Sequence, residues 1–89
     1  MSELPQIIDV IEARILARHI VELHFEDGER RVIDLEPYLV GPIFQALVAD
    51  YELFRAMRVD PDAGTIVWPN GADISPRTLY AESKRVVPA

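Results

Sequence analysis

TIVWPNGADISPRTLY, residues Thr65 to Tyr80, specifies a strand, a corner and a helix start within one short run. Thr65, Ile66, Val67 and Trp68 are β-branched or aromatic, side chains that suit a pleated, half-buried surface, so the run reads as a strand. Pro69 has no N–H for a ladder and holds the residue before it extended, which makes Trp68 the last paired residue expected. Asn70-Gly71 follows, a pair that accepts positive φ and marks a tight turn. Ser75 then stands as a helix N-cap. Pro76 takes the first helical position, where its missing donor costs nothing, and Ile74 is placed to pack on Leu79 as a hydrophobic staple.

Upstream of this run, Met57 to Asp60 reads as a strand that turns at Pro61-Asp62-Ala63-Gly64 and pairs antiparallel with Thr65 to Trp68. From Ile43 to Met57, Phe44, Leu47, Val48, Tyr51, Phe54 and Met57 recur at helical spacing. Asp50 can cap a second segment there, so the stretch is one broken helix or two short ones. Glu36 to Val40 forms a turn or a single helical turn, stopped by Gly41-Pro42.

Further back, His19 to Phe25 alternates, with Val21, Leu23 and Phe25 on one face and Ile20, Glu22 and His24 on the other. Glu26-Asp27-Gly28-Glu29 carries a hairpin signal suited to a two-residue primed turn. Arg30 to Leu35 returns as the next strand, with Val32 and Asp34 opposite Arg31, Ile33 and Leu35, and pattern alone leaves the buried face open. Ile7 to Leu16 fits neither period, and its share of β-branched residues selects strand.

These readings give an α+β fold: a small, mainly antiparallel sheet of about five strands with two hairpins and two or three short helices. The whole chain, 1–89, is expected to form one domain, with 83–89 a frayed tail.

Composition narrows the function classes. A chain of 89 residues, 49% hydrophobic and 27% charged, is a folded domain with a small core. It has no cysteine, which excludes a disulfide framework, a thiolate nucleophile and cysteine-ligated zinc. MSELPQIIDVIEAR lacks a basic start and is broken by Asp9 and Glu12, so neither a signal peptide nor a membrane span is expected and a cytoplasmic address is the default. Net charge is −6, and residues 1–50 hold ten Asp/Glu against four Lys/Arg. A surface of that sign repels phosphate backbones and suits a basic partner, so direct nucleic-acid binding is disfavoured. Such binding would need Arg55, Arg58, Arg77, Lys84 and Arg85 to form one basic patch.

FEDGERRVIDL, GPIFQALVADYELFRAMRVD and GTIVWPNGADISPRTLY, in that order, resemble the small bacterial domain-of-unknown-function family numbered 2442, and WPNGADISPRTLY is the specific tract. The resemblance covers nearly the whole chain. It implies a small α+β domain, free-standing or, in some relatives, fused to a C-terminal helix-turn-helix. It also suggests one half of a two-gene unit of toxin–antitoxin type. It transfers no catalytic residue.

Candidate chemistry is sparse. His19 and His24 are an odd number of residues apart, which on a regular strand sends them to opposite faces and prevents joint metal ligation. Asp60 and Asp62 are explained by the turn around Pro61. Ser75 is explained by capping, and no glycine-rich phosphate cradle is present. No metal site, catalytic residue or cofactor is therefore assigned. The binding candidates are Trp68, Asn70 and Asp73, where the chain leaves a strand for a helix. A structural role is open for each: Trp68 in the core, Asn70 in the turn, and Asp73 bonded to nearby backbone donors.

A second candidate is an exposed sheet edge, able to take a protein partner or a second copy of the chain. The reading ranked first is a non-catalytic interaction or regulatory module, one half of a toxin–antitoxin-like pair. The alternative is a small enzyme or ligand-binding domain that uses the Trp68 to Asp73 corner.

Overall fold

Apolar residues at every second position from Val21 to Phe25 make that run the natural centre of a sheet with one dry face. In the computed structural model, which describes residues 7–86, β1 (Val10–Ala17) and β2 (Ile20–Phe25) pair antiparallel, and β2 pairs with β3 (Arg30–Asp34). A 3-10 turn, Glu36–Tyr38, leads into α1 (Pro42–Ala49) and α2 (Tyr51–Arg55). Asp50 separates these helices and caps α2, its carboxylate accepting from the N–H groups of Glu52 and Leu53. β4 (Arg58–Asp60) and β5 (Thr65–Val67) form a two-stranded antiparallel ribbon. Then α3 (Pro76–Glu82) carries the chain to β6 (Lys84–Arg85), which pairs back on β3. The larger sheet runs in the order β1-β2-β3-β6.

One apolar cluster lies beneath its inner face. Val21, Leu23 and Phe25 of β2 are buried there with Ile33 and Leu35, which settles the face that pattern left open. Leu47 of α1, Phe54 of α2, Trp68 and Leu79 of α3 close the same cluster from below. Ile74 is buried with Leu79 as the staple requires, and the Ser75 hydroxyl accepts from the N–H of Arg77 at 3.2 Å. None of the described helices is long and apolar enough to cross a membrane.

Three local expectations are revised. The β2–β3 loop holds three residues, because Phe25 N donates to Glu29 O at 2.9 Å and Gly28 N to Phe25 O at 3.0 Å. Of these only Gly28 has positive φ, +91°. Asp27 is held instead by its own carboxylate, which accepts from Glu29 N at 2.9 Å, so the loop is a turn closed by a glycine bulge.

Secondly, Lys84 and Arg85, expected in a frayed tail, form β6. The free edge of β3 offers unpaired backbone groups, and Val86 N donates to Arg30 O at 2.9 Å. Residues 87–89 of that tail lie outside the described residues. Thirdly, β1 and β2 make a third hairpin across Arg18-His19, with Arg18 in the left-handed region at φ +48°.

Candidate functional site

The Trp68 to Asp73 corner is built largely by backbone demands. β5 ends at Val67, and Trp68 N donates to Ala72 O at 2.9 Å across the turn, with an isolated bridge between Val67 and Asp73. Gly71 takes the positive φ, +91°. The Asn70 amide works in both directions, its Oδ1 accepting from Ala72 N at 3.1 Å and its Nδ2 donating to Ile43 O at 2.9 Å. Trp68 is 3% exposed and its indole N–H donates to Phe54 O at 2.9 Å. Asn70 and Asp73 are exposed. Thus the three sequence candidates share a corner but do not converge on a cavity: the indole points into the core, the Asn70 amide is engaged by the backbone of Ala72 and Ile43, and Asp73 is exposed. No described residue donates to the Asp73 carboxylate.

The histidines separate as well. His19 is buried with its ring edge-on to Phe54, centroids 4.7 Å apart, whereas His24 lies on the outer face of the sheet between Glu12 and Glu22. Asp60 does turn work, accepting from Asp62 N at 2.9 Å. Among the described residues no group of three or more His, Cys, Asp or Glu is placed to hold a metal ion.

The outer strands of the larger sheet are β1 and the two-residue β6, and β1 is the longer edge. Phe25 N donates to Glu29 O and His19 O accepts from Leu35 N, both at 2.9 Å, so odd-numbered residues of β2 turn their backbone groups towards β3. Backbone groups alternate sides along an antiparallel strand, which leaves Glu22 and His24 facing β1, where they meet Arg14 and Glu12. The N–H and C=O of Ala13 and Ile15 consequently point out of the sheet, and no described residue bonds them. Register shifts at Val10/Glu12 and Ile15/Ala17 bracket this window. On its upstream side the Val10 N–H is occupied by Gly64 O at 2.9 Å. Ile11 and Leu16, at its two ends, are 61% and 46% exposed.

Above this edge, on the outer face, Glu22 is only 7% exposed although its strand position faces water. Arg30 donates to its Oε2 at 2.8 Å and Arg14 to its Oε1 at 3.0 Å. Burial pushes its pKa up, but the hydrogen bond and charge of Arg30, with the charges of Arg14 and His24, outweigh it and hold the carboxyl below 4.5. A carboxylate with both oxygens engaged by guanidinium groups stays ionised and is a poor general base. The open depression over it, about 340 Å³, is lined by Glu12, Arg14, His24 and Arg30. A larger and more apolar groove of about 580 Å³ lies across β2, β3 and β6, lined by Ile20, Val32, Pro37, Tyr38 and Val86.

Residues 10–85 match a family model described as Protein of unknown function (DUF2442). That span runs from the first residue of β1 to the last of β6. The chain belongs to this family. For this DUF2442 chain, comparison with curated proteins and with solved structures gives no match. The corner, the Glu22 cluster and the β1 edge all fall within the DUF2442 span.

Sequence reasoning expected an open edge without saying which strand supplies it, and missed the Glu22 cluster. A signal for the first existed: β1 opens a run of consecutive hairpins, so one of its sides has no sequence neighbour.

Proposed function

We propose that this DUF2442 chain is a non-catalytic protein-interaction module that accepts a strand of another chain along β1. The observation that supports it is the outward pair of N–H and C=O groups on Ala13 and Ile15. Unpaired edge groups are a template for strand addition, which supplies affinity through main-chain bonds and specificity through alternate side chains. Ile11 and Leu16 add exposed apolar surface at the ends of the same window. A toxin–antitoxin-like pairing, suggested by the family resemblance, is one form of this reading, and the acidic excess of residues 1–50 suits a basic partner.

The test is Ala13→Pro. Proline removes one outward donor at an edge position whose N–H is bonded by no described residue, a place where strands tolerate it. Wild type and variant, purified in parallel from the native cell, are compared for bound protein by mass spectrometry, with circular dichroism confirming an intact fold. A partner present on wild type and lost from the variant supports the reading. A partner retained by the folded variant removes it.

A further inference from the structure

Resting on that strand-addition reading, we propose that the strand taken by β1 is β1 of a second copy, antiparallel and centred on Ala13 facing Ala13. The local charges select the copy and the register. In a two-fold antiparallel pair, residues with outward backbone groups must face each other, which restricts the registers to those that pair Ala13 or Ile15 with an outward-facing residue. Centring on Ala13 lets the two alanines exchange both N–H···O bonds and sets Glu12 opposite Arg14 of the copy, twice by symmetry.

Moving the centre one residue towards Arg14 places Arg14 against Arg14, and moving it one residue back places Glu12 against Glu12. Like charges directly opposed across a ladder are unfavourable, and opposite charges are favourable. Centring on Ile15 drives the pairing into the irregularity at Ile15/Ala17.

Glu12 and Arg14 are 71% and 68% exposed in their own chain, so a facing strand can reach them even though Arg14 also holds Glu22 and Glu12 lies beside His24. A uniformly basic partner strand, by contrast, would meet Arg14. The paired window is short, since Gly64 occupies the Val10 donor at one end and the Arg18-His19 turn closes the other. So small an interface gives a dissociation constant in the micromolar range or weaker.

The experiment is sedimentation equilibrium on the purified chain up to millimolar concentration, with a charge swap. Glu12→Arg alone and Arg14→Glu alone each create two like-charge oppositions in a homodimer, and each should weaken self-association about tenfold. Mixed in equal amounts they form a heterodimer in which both oppositions are Arg with Glu, and association should return towards that of wild type. Ala13→Pro should sediment as a monomer, with circular dichroism reporting that each variant is folded.

Dimerisation untouched by Ala13→Pro and unrestored by the mixture would place the contact on another face and overturn the proposal. A wild-type monomer at every concentration also overturns it. In that case protection of the Ala13 and Ile15 amides from hydrogen exchange by a co-purified foreign protein shows strand addition still standing, with a different occupant, and no such protection removes both readings.

Discussion

The Tyr80 hydroxyl donates to the Asp27 carboxylate at 2.6 Å, tying the exposed side of α3 to the tip of the β2–β3 hairpin. The ring beneath that hydroxyl packs edge-on to Phe25, centroids 4.8 Å apart, and carries the Arg31 guanidinium over its face at 4.2 Å. This contact stabilises both protonation states it needs. The hydrogen bond from Tyr80, then that from Glu29 N, lowers Asp27 below its ordinary 3.8, and the same bond to Asp27, with partial desolvation, raises Tyr80 above 10.0.

A carboxyl lowered on folding contributes stability above its unfolded pKa, and that contribution is lost as pH falls through the folded value. A phenol raised on folding contributes below its unfolded pKa, and the contribution is lost as pH rises through the folded one. Tyr80→Phe should therefore lower the melting temperature at neutral pH and flatten the pH profile both below 3.8 and above 10.0. Part of the acid slope should survive, because Glu29 N still donates to Asp27. Melting curves across pH read both limbs.

Trp68 joins β5 to the end of α2, with its ring 5.8 Å from that of Phe54 and its N–H on the Phe54 carbonyl. That carbonyl also accepts from Met57 N at 3.1 Å, so removing the indole does not leave it unsatisfied. Trp68→Phe should then cost one hydrogen bond and a partial void, about 1–2 kcal/mol. Trp68→Ala, which empties the site, should cost about 3–5 kcal/mol. Urea unfolding followed by far-ultraviolet circular dichroism measures both without needing the tryptophan signal.

The same corner explains how far the sequence could be read. Ser75, Pro76 and Asp50 act on backbone groups within three residues of themselves, and such signals survive any tertiary context, so both helix starts were legible. β6 was not, because Lys84 and Arg85 carry no strand pattern and pair only because β3 leaves an edge beside them. Glu22 was legible as an outward-facing residue but not as a buried one, since its cover comes from Arg14 and Arg30 on the neighbouring strands. Long basic arms hide a carboxylate only once strand register is known. Asp27-Gly28 marked the hairpin correctly, while the three-residue loop shows only in the backbone bonds from Phe25 N to Glu29 O and from Gly28 N to Phe25 O.

Gly64 sits where the β4–β5 ribbon meets the start of β1. Its φ is +70°, and a Cβ placed there would lie 2.5 Å from Asp9 Oδ1. Gly64→Ala should destabilise the chain by about 1–2 kcal/mol from the left-handed backbone alone, with the Asp9 clash added. Asp9→Ala in the same chain should recover the clash and leave the backbone cost. Urea midpoints of the two variants separate these contributions, and full recovery by Asp9→Ala would show that the backbone at Gly64 is not strained by a side chain.

Glu22 gives the clearest acid dependence, because its position combines near-complete burial with two guanidinium partners. In the unfolded chain it titrates near 4.5, and in the folded chain lower. The stability it supplies is present above 4.5 and disappears as pH falls through the folded value, where the protonated carboxyl loses the charge that faces Arg14 and Arg30 and one of its two acceptor oxygens. Glu22→Gln keeps the shape and removes the charge at every pH. At neutral pH it should cost about 1 kcal/mol, since both arginines are more than half exposed and water screens them. Below the folded pKa wild type and variant should converge, because both then present a neutral group to the same arginines. Equal losses from Glu22→Gln at neutral and at acid pH would mean that packing on the outer face, and not the ion cluster, is what Glu22 contributes.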